Sequence, residues 1–585
     1  MTDIPLLWSS GARKEVMDLL RRMWSQGDDA AREAVSRLLV AGPPEALLAR
    51  LDEDRRTASR DRRIYDRLSI LQRLGEPPLT PALEAEAGRL HALYPEWEVA
   101  EGERADFSTW MEFRVGPDTR FTVDDLARLE PAALAIQLRE AGDDREGRLE
   151  IWRDLAAQDP AKALDVLQLT PTDADQADIW VHGLWGVRDQ ARAPDTRDRL
   201  LLLLLGLPDE LLNQADVARA AADVLAVAAK SRPAPGADDP FWAVFDRVLA
   251  AASRDPDNAE TPEGGGWVGL AINRSMGSLA SAFFDALFGR ALKVGQGIPQ
   301  DARPRLMRLL TPAEPEHRPA RVIAASRLSY LYAVDPDWTR AHLLPLFDWR
   351  DEMEATAAWQ GFGWQPRIDE RLWQALKPYF LPSFTRERLL GLGTAGTQLA
   401  AMLMLVGVEF GLDELPREAA RDAIRAMPER LRYEAAAWIA HYLRDLAGGA
   451  ADEPSADDAW VERVGPWLAR VWPPEPDPDG RGVAAQFARA IVALDEAFPQ
   501  ALQALSTHLI RGSADMVLHE LAASAHPDRH PRETLTLLDR IMDINQIWMV
   551  DELRNILDRL GAAAPDITGA NEYRRLDERL RAAAR

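Results

Sequence analysis

Apolar residues along this chain recur at helical spacing, and no comparably convincing run of alternating apolar and polar positions competes with them. In GRLEIWRDLAAQDPAKALDVLQL, Leu149, Trp152, Leu155 and Ala156 fall on one helical face. Asp159 then stands at an N-cap, with Pro160 at the first helical position, where its missing N–H costs nothing. Leu164, Val166 and Leu167 give the second helix its apolar side. The same device recurs at Asp239–Pro240 and Asp335–Pro336, and Phe498–Pro499 repeats the helix–Pro–helix rhythm. FTVDDLARLEPAALAIQL opens with Thr122 and Asp125 at capping-box spacing.

These helix pairs repeat neither at a constant interval nor with a fixed consensus, which argues against tetratricopeptide and ankyrin arrays. Irregular HEAT-like pairs fit better, each exposing an apolar face that only its neighbour covers. The expected fold is therefore all-α: an irregular HEAT-like helical-repeat array, or superhelical α-solenoid. Pro/Gly-rich breaks at SRPAPGADD, RDPDNAETPEGGG, LAGGAADEPSADD and PPEPDPDGRG punctuate it. They suggest an N-terminal helical segment over 1–115, helical repeats over 116–265, repeats with a Trp-rich segment over 266–450, and a C-terminal helical segment over 451–585. The divisions mark segments of one array as readily as independent domains.

Composition narrows the function classes. Of 585 residues 47% are apolar and 28% charged, the balance of a soluble packed chain, and the net charge of −24 disfavours a general nucleic-acid or anionic-membrane binder. The Arg-rich DEDRRTASRDRRIYDRL (52–68) alternates with acids and reads as a solvated helix face with i,i+4 pairs. With no cysteine there is no disulfide, thiolate nucleophile or Cys-type zinc site. The longest apolar runs, LLLLLLGL and LAAMLMLVGV, are too short to span a bilayer, which takes about 20 residues. The N-terminal stretch lacks the pattern of a signal peptide, and a cytoplasmic location is expected. Basic residues are nearly all arginine, the coding bias of a GC-rich bacterium.

Candidate chemistry is thin. GGGWVGLAINRSMGSLASAFFDALF (264–288) has no Gly-x-x-x-x-Gly-Lys-Ser/Thr and no strand before it, so it reads as a hinge entering a core helix capped by Asn273 or Ser275. Gly391, Gly393 and Gly396 in GLGTAGTQLA match Gly-x-Gly-x-x-Gly, again without a strand. Gly391 is read instead as a helix stop and Thr397 as the next start. In VLHELAASAHPDRHP, His519–Glu520 begins a zincin-like pattern, but Ala523 stands where the second histidine belongs. His519, His526, Asp528 and His530 form the alternative reading, a metal-dependent hydrolase, against a surface loop between two prolines. No Gly-x-Ser-x-Gly elbow appears. The expectation is no enzyme, no cofactor and no metal.

Tryptophan is the exception. Five of the nineteen, Trp338, Trp349, Trp359, Trp364 and Trp373, crowd one segment. They either fill a core or form a partner-binding surface, since Trp is enriched at binding hot spots.

A resemblance adds a functional expectation. PEWEVAEGERADFSTWMEF, FTVDDLARLEPAALAIQL, WVGLAINRSMGSLASAFFDALF, RVIAASRLSYLYAVDPDWTRAHLLPLF and AAWQGFGW occur in this order over residues 90 to 380. Together they resemble the α-helical repeat region, a domain of unknown function, attached to bacterial sirtuin-type antiviral defence proteins, with Asn273 and Gly277 as its marks. In those proteins a catalytic part hydrolyses NAD. No Gly-Ala-Gly-type NAD loop with a catalytic histidine precedes the helical region here. The resemblance thus implies a helical scaffold or sensor in an anti-phage defence system. Its expected partner is an effector subunit, such as a separate NAD-hydrolysing sirtuin-like protein, or a phage protein.

Overall fold

The computed structural model describes residues 7–8, 13–48, 53–74, 76–95, 97, 121–142, 144–262, 266–449, 454–475, 480–512, 514–543 and 549–583. Among the described residues there is no strand; one isolated bridge joins Gly512 and Met542. The chain forms two compact units, Met1–Pro117 and Asp118–Arg585. The sequence division at 115, and most of the resemblance segment beginning at Pro95, lie outside the described residues.

In the first unit, helices Arg13–Gln26, Asp29–Ala41, Glu53–Leu74 and Pro81–Leu93 enclose Trp8, Trp24, Ile64, Leu68 and Leu90. The Arg-rich helix is less solvated than its charge pattern suggests. Arg62–Asp66 does form an i,i+4 pair at 3.4 Å. Asp61, however, is fully buried and takes the Arg89 guanidinium at 2.7 Å, while buried Arg67 donates to the Leu7 carbonyl at 3.0 Å. These charges point inward because each finds a partner that offsets its desolvation.

The second unit is a row of helices, each packed on the next: Arg145–Gln158, Ala177–Val187, Ala215–Ala228, Ser275–Gly289, Arg318–Ala325, Glu352–Trp364, Thr394–Leu405, Glu429–Ala447, Arg481–Val492, Asp515–Ala523 and Val550–Ala563. Partner helices such as Pro160–Leu169, Pro194–Gly206, Pro240–Ala252 and Glu370–Phe380 alternate with them in sequence. One apolar core runs without interruption from Leu126 to Leu580. Small residues let the row close up: Ala218, Ala220, Ala221 and Ala222 are buried on Ala215–Ala228, which is sandwiched between two other row helices.

The caps form as the sequence implies. Asp159 accepts from the Lys162 N–H at 3.0 Å, Asp239 from Phe241 at 2.9 Å and Asp335 from Trp338 at 3.0 Å. Thr122 and Asp125 complete their capping box. The helix Ser275–Gly289 is capped differently from expectation. Asn273 ends the preceding helix Trp267–Ile272, and the Asn258 side chain, from the short 3-10 helix Pro256–Ala259, accepts from the Met276 N–H at 3.2 Å. Buried Asn258 also donates to Ser275 Oγ at 3.0 Å, satisfying both groups. Gly277 follows at a crossing where a Cβ would overlap the Ala271 carbonyl, so the hinge between these helices admits no side chain there.

Candidate functional site

The two glycine-rich stretches, more than a hundred residues apart in sequence, meet in one groove of about 620 Å³. Helix Glu352–Trp364 forms its floor through Gln360, Gly363 and Trp364. Gly266 and Gly269 line one wall and Leu390 to Ala395 the other. Gln360 holds these walls together. Its Oε1 accepts from the Trp267 N–H at 2.8 Å, an otherwise unpaired donor at a helix start, and its Nε2 donates to the Gly391 carbonyl at 3.0 Å. A single buried amide thus ties a helix N-terminus to a helix C-terminus.

The second wall turns sharply. Helix Arg386–Gly391 stops at Gly391 as expected, but the next begins at Thr394 rather than Thr397. Gly393, with φ +56°, supplies the left-handed step between them that a residue with a Cβ adopts only under strain. Thr397 lies inside the helix instead.

No described residue lining the groove is ionisable. Its described lining therefore offers amide, hydroxyl, backbone and apolar surface. At its rim Trp364 is 46% exposed and Leu390 61%. Both line the groove and leave apolar surface open to solvent beside it.

The other four tryptophans are core, not surface. Trp338 and Trp349 are 4% and 7% exposed, and Trp359 and Trp373 not at all. Three of their indole N–H groups pin neighbouring elements: Trp349 donates to Ser383 Oγ at 2.9 Å, Trp359 to the Phe347 carbonyl at 3.3 Å and Trp373 to the Glu414 carboxylate at 2.8 Å, while the Trp338 N–H is buried without a partner. Burial works against the charged form of Glu414, but hydrogen bonds from Trp373, Lys377 and Gln374 outweigh it and hold the carboxyl below its usual range. The crowding of tryptophan in this segment thus reflects packing at successive helix crossings, with Trp364 the exception.

The histidine-rich stretch is not a surface loop. It spans helix Asp515–Ala523, the short helix His526–Arg529 and the start of Pro531–Ile541. His519 is exposed on the first of these, and Asp528 forms a two-oxygen pair with Arg559. His526 and His530 instead converge with Asp495, which had no signal in the sequence because it lies in the preceding repeat. Gln360 was equally unremarked, although a glutamine in the apolar, small-residue run AAWQGFGW was a legible sign of a buried polar role.

The fold defines a class: an all-α helical-repeat array, with a groove on its row of packed helices whose described lining carries no ionisable side chain. Comparison with protein-family models, with curated proteins and with solved structures finds no match to this chain. Among the described residues no helix is long and apolar enough to cross a membrane.

Proposed function

We propose that this chain is a non-enzymatic helical-repeat scaffold or sensor that binds a protein partner in the groove floored by Gln360 and Trp364. The exposed indole at the mouth of an uncharged cavity carries this reading. Such a groove suits an extended peptide segment. Its side chains would pack on Trp364 and Leu390 while its backbone meets the amide-rich walls, in the manner of a hot spot ringed by neutral contacts. Two of the four residues of the hydrolase alternative stand apart, since His519 is exposed and Asp528 pairs with Arg559.

The resemblance to the helical region of sirtuin-type defence proteins gives the partner its class. It is an effector subunit such as an NAD-hydrolysing sirtuin-like protein, or a phage protein, met in the bacterial cytoplasm. The test is affinity purification of the tagged chain from its host, with and without infection, alongside the product of the neighbouring gene. A stoichiometric protein that is retained by the native chain and lost with Trp364→Ala is the expected result. Equal retention by both would remove the groove from the account.

A further inference from the structure

Asp495, His526 and His530 place one potential ligand atom each within 4.8 Å of one another. Asp495 belongs to the turn after helix Arg481–Val492, and the two histidines to the next repeat. Each group is held from outside the cluster. The Asp457 carboxylate accepts from the N–H groups of Asp495, Glu496 and Ala497 at 2.9, 3.0 and 3.1 Å, which fixes the turn. The Phe498 ring stacks on both imidazoles, with centroids 4.2 Å from His526 and 5.7 Å from His530.

Protonation of His526 follows from its neighbours. Its Nε2 lies 2.9 Å from the Val492 carbonyl, which can only accept, so Nε2 carries the hydrogen. Nδ1 is then the lone-pair nitrogen. It is buried with no hydrogen-bond partner, on a residue only 4% exposed. His530 Nε2 is likewise buried and unpartnered. Among the described buried side-chain atoms without a partner, these two are the histidine nitrogens, and both residues gather with one carboxylate, which points to a missing ligand.

We infer that Asp495, His526 Nδ1 and His530 form a transition-metal site of the zinc class that staples two consecutive repeats together. An imidazole that donates one N–H to a backbone carbonyl and offers its other nitrogen is the arrangement that orients metal-bound histidines. Ligand atoms sit about 2.0–2.2 Å from zinc, so the cluster needs a modest closure by side-chain rotation. Exposed Asp495 and half-buried His530 are free to supply it. Arg529 already pairs with Asp495 and Glu496, and it stays on Glu496 when one Asp495 oxygen turns to the ion. Three protein donors leave a fourth position for water or for a partner's side chain. The sequence offered His519, His526, Asp528 and His530 as its metal alternative; the cluster keeps His526 and His530 and adds Asp495, which is remote in sequence.

The experiment titrates the full metal-free chain with Co²⁺, read by visible absorption, and with Zn²⁺, read by calorimetry and melting temperature. The expected result is one equivalent bound, with a rise in melting temperature. His530→Gln should weaken the affinity at least about tenfold, and Asp495→Asn, a surface change, should weaken it as well. His519→Ala should leave it unchanged. Both cluster variants are scored only against their own metal-free circular dichroism, so a folding defect is separated from lost binding. Absence of stoichiometric uptake, or uptake indifferent to both cluster variants, would overturn the site.

Discussion

Trp359 and Trp364 sit five residues apart on one helix and teach opposite lessons. Trp359 is fully buried, its ring edge-on to Phe347 and its N–H spent on a backbone carbonyl. Trp364 ends the helix at the mouth of the groove, nearly half exposed. The rotation between them carries the side chain away from Phe347 and Phe380 and onto the surface. Composition treats the pair alike, whereas burial separates them. The contrast extends to the regions around them: the buried side is pinned by indole hydrogen bonds, and the groove side is uncharged and open.

The largest expected effect lies on the buried side. Trp359→Ala should destabilise the protein by about 3–5 kcal/mol, through lost transfer energy plus a cavity among Phe347, Phe362 and Phe380. Denaturant unfolding measures it, and a change below about 1 kcal/mol would contradict the packing assigned to this residue.

Gln360 lies between the two sides, and its substitution sharpens the comparison. Gln360→Ala leaves the Trp267 N–H and the Gly391 carbonyl without their partner and should cost about 1–3 kcal/mol. It should also loosen the groove walls, read as faster amide exchange over residues 266–270 and 391–396. Unchanged exchange there would mean that the walls hold without the amide.

A smaller effect comes from Glu414, which receives the Trp373 indole. Its folded-state pKa lies below the ordinary 4.5, so its stabilisation is present above that value and is lost as pH falls through the folded pKa. Glu414→Gln should therefore be less stable than the native chain near neutrality, with the gap narrowing below about pH 4.5. A gap constant with pH would show that the charge is not what holds Trp373.

Local signals carried the fold a long way. Asp159, Asp239 and Asp335 cap their helices because the Asp-Pro pair encodes a helix start within two residues. Leu149, Trp152, Leu155 and Ala156 are buried as their spacing implies, since period alone sets a helix face. Long-range assembly was not legible in the same way. Nothing local says that Gly266 and Gly391 share a groove, that Asn258 caps a helix beginning at Ser275, or that Asp495 joins His526. Each depends on how one repeat stacks upon another, and an irregular array has no consensus from which to read that register. The tryptophans show the same limit, because exposure is decided by neighbours that the residue type does not name.

The most direct test of the central claim is partner retention and melting temperature measured together for Trp364→Ala. Trp364 contributes little to the fold, so stability should stay within about 0.5 kcal/mol of the native chain. Retention of the partner should fall by about 2 kcal/mol or more in binding free energy. A large loss of melting temperature, or a partner held as tightly as before, would contradict the assignment of the groove as the recognition site.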